Sequence, residues 1–131
     1  MSLVLTIRTD KPKAEIRLWQ RDKLIAEKIW YAHKQLSVDI LREISNIITK
    51  SGNKLQDLSG IVVYKGPGSF TGLRIGITVA NTFAYSLNIP IIGETGEDWQ
   101  LSGMEKLRSS QDDKIVVPFY GGEANITKPR K

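Results

Sequence analysis

The chain has 131 residues, enough for one domain, and its 40% hydrophobic and 25% charged residues are typical of a soluble globular protein. It has no cysteine and one histidine, which excludes disulfides, cysteine nucleophiles and metal sites built from thiolates or several histidines. The net charge is +5 at pH 7. No apolar run approaches the ~18 residues that span a bilayer, so we expect a cytoplasmic protein.

Much of the basic excess lies near the N-terminus, where residues 1–34 carry eight basic and four acidic side chains. A second small basic cluster consists of Lys128, Arg130 and Lys131. A solvated surface and a nucleic-acid contact are both compatible with this charge. No strand interleaves basic and aromatic residues in the manner that stacks single-stranded bases.

The pattern along the chain predicts three strands first, at residues 3–7, 14–19 and 24–30, joined as an antiparallel meander. Apolar residues then recur at helical spacing from 36 to 48, with Ser37 as a plausible N-cap and Gly52 just beyond the C-terminus. A continuous β-rich run at 61–64 indicates a strand buried on both faces. A second helix to about residue 87 and a strand at 89–92 follow.

The resulting order, β-β-β-α-β-α-β, predicts an α/β fold with a mixed sheet and helices packed on it. Beyond residue 97 the pattern weakens. A short helix is predicted at 98–108 and a strand at 115–117, and residues 121–131 have the composition of a tail.

A glycine-rich loop separates the buried strand from the second helix, an arrangement that brings backbone N–H groups and a helix N-terminus to an anion. The loop matches neither the dinucleotide fingerprint, the P-loop nor the nucleophile elbow. Anion binding and a tight turn that lets the helix pack closely both remain open. The residues of a possible anion or nucleotide contact are Gly66, Gly68, Ser69, Thr71, Gly72 and Arg74.

The second helix carries two apolar stripes, so it must be buried on two sides. Leu73, Ile77 and Ala80 begin the first stripe, and Ile75, Val79 and Phe83 form the second. Its own sheet covers one stripe. We expect a partner chain to cover part of the second, the alternative being complete cover by the first helix.

The sequence shows no catalytic constellation. His33 has neither an acidic orienting residue nor a nucleophile near it, and a histidine at the surface before a helix is the simpler interpretation. The acidic residues show no metal-ligand pattern, so we predict neither a catalytic nor a metal site.

The string IVVYKGPGSFTGLRIG at 61–76 resembles the signature of the TsaB family, formerly YeaZ, and Ala80, Ala84, Leu87 and residues 89–93 continue the resemblance. The resemblance covers about residues 3–97. It implies an N-terminal domain of the actin, hexokinase and RNase H type, called ASKHA, in agreement with the strand and helix order above.

The family's role implies a non-catalytic scaffold that pairs with its paralogue TsaD, joined by the ATPase TsaE, in transfer of threonylcarbamoyl to the adenosine beside the tRNA anticodon. The two helices would form the contact, with no tightly bound cofactor and ATP or ADP at most at a partner interface. The expected interface residues are Ile40, Ile44, Ile47, Ile75, Val79, Thr82, Phe83 and Ser86. The tRNA would be contacted indirectly or through the basic tail.

Two departures from the family stand out. Arg8 takes the place of a family aspartate after the first strand, which is expected to reverse the charge there. Family members also carry a second domain, so the chain is interpreted as an ASKHA-like domain at 1–97 and a short extension at 98–131. The alternatives are a small phosphate- or nucleotide-binding enzyme and a homodimeric interaction protein.

Overall fold

The structure, a computed structural model, describes residues 3–120 without the side chain of His33. The basic cluster at Lys128, Arg130 and Lys131 lies outside the described residues, as does the predicted role of the His33 side chain. The strands and helices, in chain order, are β1 (Leu3–Arg8), β2 (Lys13–Gln20), β3 (Lys23–Tyr31), α1 (Leu36–Lys50), β4 (Gly60–Tyr64), α2 (Phe70–Leu87), β5 (Ile91–Glu94) and α3 (Trp99–Arg108).

The five strands form one mixed sheet in the order β3-β2-β1-β4-β5. The first three are antiparallel neighbours, whereas β4 pairs parallel to β1 and β5 pairs parallel to β4. The predicted mixed sheet is therefore confirmed. Because β2 alone runs the opposite way, β1, β3, β4 and β5 all have their C-terminal ends along the same boundary of the sheet. This boundary, which runs across the strand ends, is here called the carboxyl edge.

Helices cover both faces of the sheet. Helix α1 packs against β2 and β3, and α2 packs against β1, β4 and β5. Helix α3 packs on the other face, where the Trp99 ring meets the Tyr64 ring edge-on at 5.9 Å between centroids. All five residues of β4 are buried, as expected of a central strand covered on both sides.

The structure corrects the predicted start of α1. A short 3₁₀ turn at His33–Gln35 runs directly into the helix, and Gln35, rather than Ser37, is the N-cap residue. Ser37 already lies inside the first turn because the 3₁₀ turn supplies helical backbone ahead of it. Gly52 follows the C-cap residue with a positive φ of 85°, which confirms its predicted place beyond the helix.

The predicted strand at 115–117 is wrong. Residues 111–120 form an irregular segment along β5, here called the strap. Side chains hold it together with two backbone bonds, from the Asp113 N–H to the Ile91 carbonyl at 2.8 Å and from the Phe119 N–H to the Lys65 carbonyl at 2.7 Å. The Asn81 amide donates to the carbonyl of Val116 and accepts from its N–H, both at 2.9 Å. The carboxylates of Asp112 and Asp113 accept the backbone N–H groups of Ile91 and Gly93. The strap therefore closes the β5 edge, whereas β3 has no further strand beside it among residues 3–120.

Replacing Asn81 by alanine is expected to release the strap, since both backbone groups of Val116 then lose their partner. We expect a loss of about 1–3 kcal/mol in the free energy of unfolding. Trypsin should also cleave faster after Lys114, the one basic residue of the strap. Thr82→Ala, next along the same helix, is the control. Unchanged cleavage in Asn81→Ala would show that the other contacts suffice.

The proposed division at residue 97 stays a prediction, although α3 packs on the same sheet as the preceding elements. Within the part of the chain that the structure describes, no helix is long and apolar enough to cross a bilayer.

Candidate functional site

The glycine loop lies at the carboxyl edge, between β4 and α2, and its glycines are packed tightly against the rest of the chain. A Cβ atom on Gly68 would overlap the side chain of Asp10, and one on Gly72 would overlap the carbonyl oxygen of Thr9. A Cβ atom on Gly76 would overlap the Thr9 hydroxyl. The glycines therefore let α2 approach the turn between β1 and β2, as in the close-packing alternative.

A salt bridge lies against this loop. The Arg8 guanidinium donates to Asp10 from Nε to Oδ1 at 2.7 Å and from Nη2 to Oδ2 at 3.2 Å. Burial lowers the pKa of Arg8, but the hydrogen bonds and charge of Asp10 outweigh burial and raise it above its ordinary value. Asp10, two residues later, therefore neutralises the positive charge that Arg8 is expected to bring to this position.

The ring of Tyr64 completes this cluster. The Arg8 guanidinium carbon lies 3.8 Å from the Tyr64 ring centroid, and the Tyr64 hydroxyl donates to the carbonyl of Pro67 at 2.8 Å. Burial raises the pKa of Tyr64 above 10.0, with Arg8 opposing the rise and Asp10 adding to it. The arrangement holds the glycine loop against the end of β4.

The raised pKa of Tyr64 predicts a loss of stability in alkali. As the pH rises above about 10, the unfolded chain releases the tyrosine proton before the folded chain does, so the free energy of unfolding falls. In Tyr64→Phe this fall should be shallower, as measured by urea denaturation between pH 8 and pH 11. Tyr85→Phe is the matched change on a ring that is 89% exposed. An equal slope in Tyr64→Phe and the parent chain would contradict the expectation.

The residues of the predicted anion contact do not all meet at one place. Ser69, Thr71 and Gly72 line a cavity of about 680 Å³, which also has Lys11 and Lys34 in its wall. Gly66 is buried and Gly68 faces Asp10, so neither lines that cavity. Lys11 belongs to the polar β1–β2 turn at residues 8–11, whose sequence is compatible with phosphate binding but is more simply interpreted as a plain hairpin turn. Lys34, in the segment before α1, was missed, and its only signal in the sequence was the N-terminal basic excess.

The second stripe of α2 is partly exposed along a groove between α1 and α2. Ile75 and Val79 line a cavity of about 400 Å³ near the start of α2, and Phe83 lines one of about 250 Å³ towards the end of α1. Thr82 and Ser86 are exposed beside them. Helix α1 therefore covers this stripe only in part.

Three predicted interface residues on α1 are buried. Ile40 and Ile44 are 0% exposed and Ile47 is also buried, so they pack in the core beneath α1, where Ile44 also borders the cavity that Phe83 lines. The outward side of this helix instead presents Val38 and Leu41, which are exposed. The apolar stripe in the sequence of α1 marks the residues that face the sheet. The exposed apolar residues beside that stripe are the ones available to a partner.

Comparison with known proteins identifies relatives of this chain. The family model described as "TsaD: tRNA N6-adenosine threonylcarbamoyltransferase" matches residues 30–96. The protein named tRNA threonylcarbamoyladenosine biosynthesis protein TsaB from Bacillus subtilis is 46% identical over 119 residues, which are 89% of this chain and 49% of that protein. The chain belongs to the TsaB family.

The TsaB protein of Escherichia coli is 33% identical over 123 residues, covering 89% of this chain and 53% of its own length. The chain thus spans about half the length of the curated relatives it matches. The solved structure of YeaZ from Pseudomonas aeruginosa has a TM-score of 0.68 and 23% identity, with cover of 72% of this chain and 44% of that one. At this identity the likeness establishes the fold.

Proposed function

We propose that this member of the TsaB family takes part in the biosynthesis of threonylcarbamoyladenosine in tRNA as a non-catalytic scaffold subunit. It pairs with a TsaD-like protein through the groove between α1 and α2. Family membership supports the pathway, and the exposed part of the second stripe of α2 is the single observation that carries the pairing.

The groove has the features of a protein interface. Its centre is apolar, with Val79 and Phe83 half-buried over the core, and an exposed apolar side chain, Leu41, stands on the opposite wall. Thr82 and Ser86 are uncharged and supply a polar rim. Buried aromatic and aliphatic anchors surrounded by polar residues are where binding energy concentrates.

Further members of the assembly follow from the same proposal. A TsaE-like ATPase joins the pair, and no cofactor is tightly bound by this chain. We propose that any contact with ATP or ADP occurs at the partner interface, through Ser69, Thr71 and Arg74 near the start of α2. These three residues are exposed, which supports their availability to phosphate groups.

A homodimer through the same groove is the second candidate, since an apolar and nearly uncharged face can pair with a copy of itself. The alternative function is a small phosphate- or nucleotide-binding enzyme. The cavity that Ser69 and Thr71 line together with two lysines supports this alternative. Binding of ATP by the chain alone, with no partner present, would favour that enzyme.

The test is the solution mass of the chain alone and mixed with the TsaD-like protein of the same source, measured by sedimentation velocity. We expect a heteromeric species that Phe83→Asp abolishes. Tyr85→Asp, on the same helix but beside Asp112 and Lys114, should leave it intact. Circular dichroism of each variant separates lost pairing from lost folding.

A homodimer in place of the heteromer would assign the groove to self-association and remove the support for pairing with TsaD. If pairing survives Phe83→Asp in a folded chain, the partner binds a different surface of this protein.

A further inference from the structure

The carboxyl edge collects basic side chains that are far apart in the sequence. Lys11 and Lys13 flank the start of β2, Lys34 precedes α1, Lys65 follows β4 and Arg74 lies in α2. None of the five forms an ion pair with a described acidic residue. Of the two buried acidic residues at this edge, Asp10 is paired with Arg8 and Glu94 with Lys106. Two exposed carboxylates, Glu97 and Asp98, follow β5 at the same edge, so the five cations leave a net positive charge there.

Exposed aromatic rings stand among these cations. Tyr31, at the end of β3, is 61% exposed and has the Lys13 Nζ 5.4 Å from its ring centroid. Phe70, at the start of α2, is 54% exposed and has the Arg74 guanidinium carbon 5.2 Å from its centroid. Its ring also stacks with Tyr120 of the strap, with centroids 4.9 Å apart and planes 26° from parallel.

The cavity of about 680 Å³ lies between the end of β3 and the start of α2, although neither Tyr31 nor Phe70 lines it. Its wall includes Ala32, next to Tyr31, and Ser69, next to Phe70. Lys11 and Lys34 lie between, together with the hydroxyl groups of Ser37 and Thr71. Two cations and several hydroxyl groups thus lie along the path between the strand end that carries Tyr31 and the helix start that carries Phe70.

We propose that the carboxyl edge binds single-stranded RNA, with the rings of Tyr31, Phe70 and Tyr120 stacking on unpaired bases and Lys11 and Lys34 contacting phosphates. Unpaired bases offer their faces to aromatic rings and to guanidinium planes, which bases inside a duplex cannot do. Positive charge along the path neutralises the backbone. The choice of RNA over DNA rests on the proposed function in tRNA modification.

The test uses the complete chain alone and a fluorescein-labelled 12-nucleotide single-stranded RNA, read by fluorescence anisotropy at several salt concentrations. Tyr31→Ala and Phe70→Ala should each weaken binding about fivefold or more, in line with the loss of one stacked base. Lys11→Gln with Lys34→Gln should lower the slope of log affinity against log salt by about 1.4, because each single-strand phosphate contact contributes about 0.7.

The control pair is Lys23→Gln with Lys50→Gln, two exposed lysines at the opposite end of the sheet, which removes the same charge. If this pair weakens RNA binding equally, or if the duplex form of the RNA binds with equal affinity, net charge alone explains the binding and the proposal is overturned. So would the absence of binding at 50 mM salt, or binding lost only on changing Lys128, Arg130 and Lys131.

Complete displacement of the RNA by ATP, at ATP concentrations near the dissociation constant of ATP for this chain, would assign the cavity to a nucleotide. This result would also overturn the proposal. The proposal concerns the chain alone, so failure to pair with a TsaD-like protein leaves it standing. Conversely, pairing without RNA binding contradicts this inference and leaves the proposed scaffold function intact.

Discussion

Replacing Ile44 by aspartate is expected to destabilise the protein severely. The side chain is 0% exposed beneath α1, and a carboxylate there has neither solvent nor a cation to pair with. We expect a loss of at least about 4 kcal/mol in the free energy of unfolding. The total free energy of unfolding of a small domain is only about 5–15 kcal/mol. Urea denaturation followed by circular dichroism measures the loss.

Leu41→Asp, three residues earlier on the same helix, is the matched change. Leu41 is 53% exposed, so its replacement should alter the free energy of unfolding by no more than about 0.5 kcal/mol. It should nevertheless weaken pairing with the TsaD-like protein, since Leu41 stands at the groove. A stable Ile44→Asp variant would contradict the assignment of Ile44 to the core.

Replacing Gly72 by alanine is the second change with a large expected effect. The added methyl group would overlap the backbone oxygen of Thr9, which cannot rotate away as a side chain can. Overpacking of this kind costs about 2–3 kcal/mol, and the better helix propensity of alanine recovers at most about 1 kcal/mol of that. Thermal and urea denaturation of the variant measure the net loss.

Thr71→Ala, one residue earlier in the same turn, serves as the comparison because Thr71 is exposed and its Cβ atom already exists. Its free energy of unfolding should stay within about 0.5 kcal/mol of the parent chain. A Gly72→Ala variant as stable as Thr71→Ala would show that α2 can move away from the β1–β2 turn at little cost.

The order of strands and helices was predictable because hydrophobic periodicity reports it directly. The alternation of residues 14–19 and the continuous apolar run at 61–64 correspond to β2 and β4. The strap was not predictable in this way. Residues 115–117 have the composition of a strand, but Asn81, 35 positions away from Val116, takes the place of the neighbouring backbone.

The candidate surfaces were predictable only in part. The two apolar stripes on α2 indicated which sides of that helix are covered. On α1, however, the helical period of apolar residues alone did not distinguish the core residue Ile44 from its exposed neighbour Leu41. The basic aromatic edge was hidden for a different reason. Lys13 and Tyr31 are partners across the antiparallel strands β2 and β3, and Phe70 and Arg74 lie one turn apart on α2. The two pairs reach the same edge only because β4, which leads into α2, runs parallel to β1.

The close approach of α2 to the β1–β2 turn has a consequence for how this protein can diversify. With Gly72 and Gly76 packed against Thr9, the helix has little room to shift towards the turn, so a partner held on α2 would lie close to Lys11 as well. Changes in binding specificity must then come from exposed positions such as Thr82 and Ser86, because the helix itself cannot be re-aimed without disrupting the sheet.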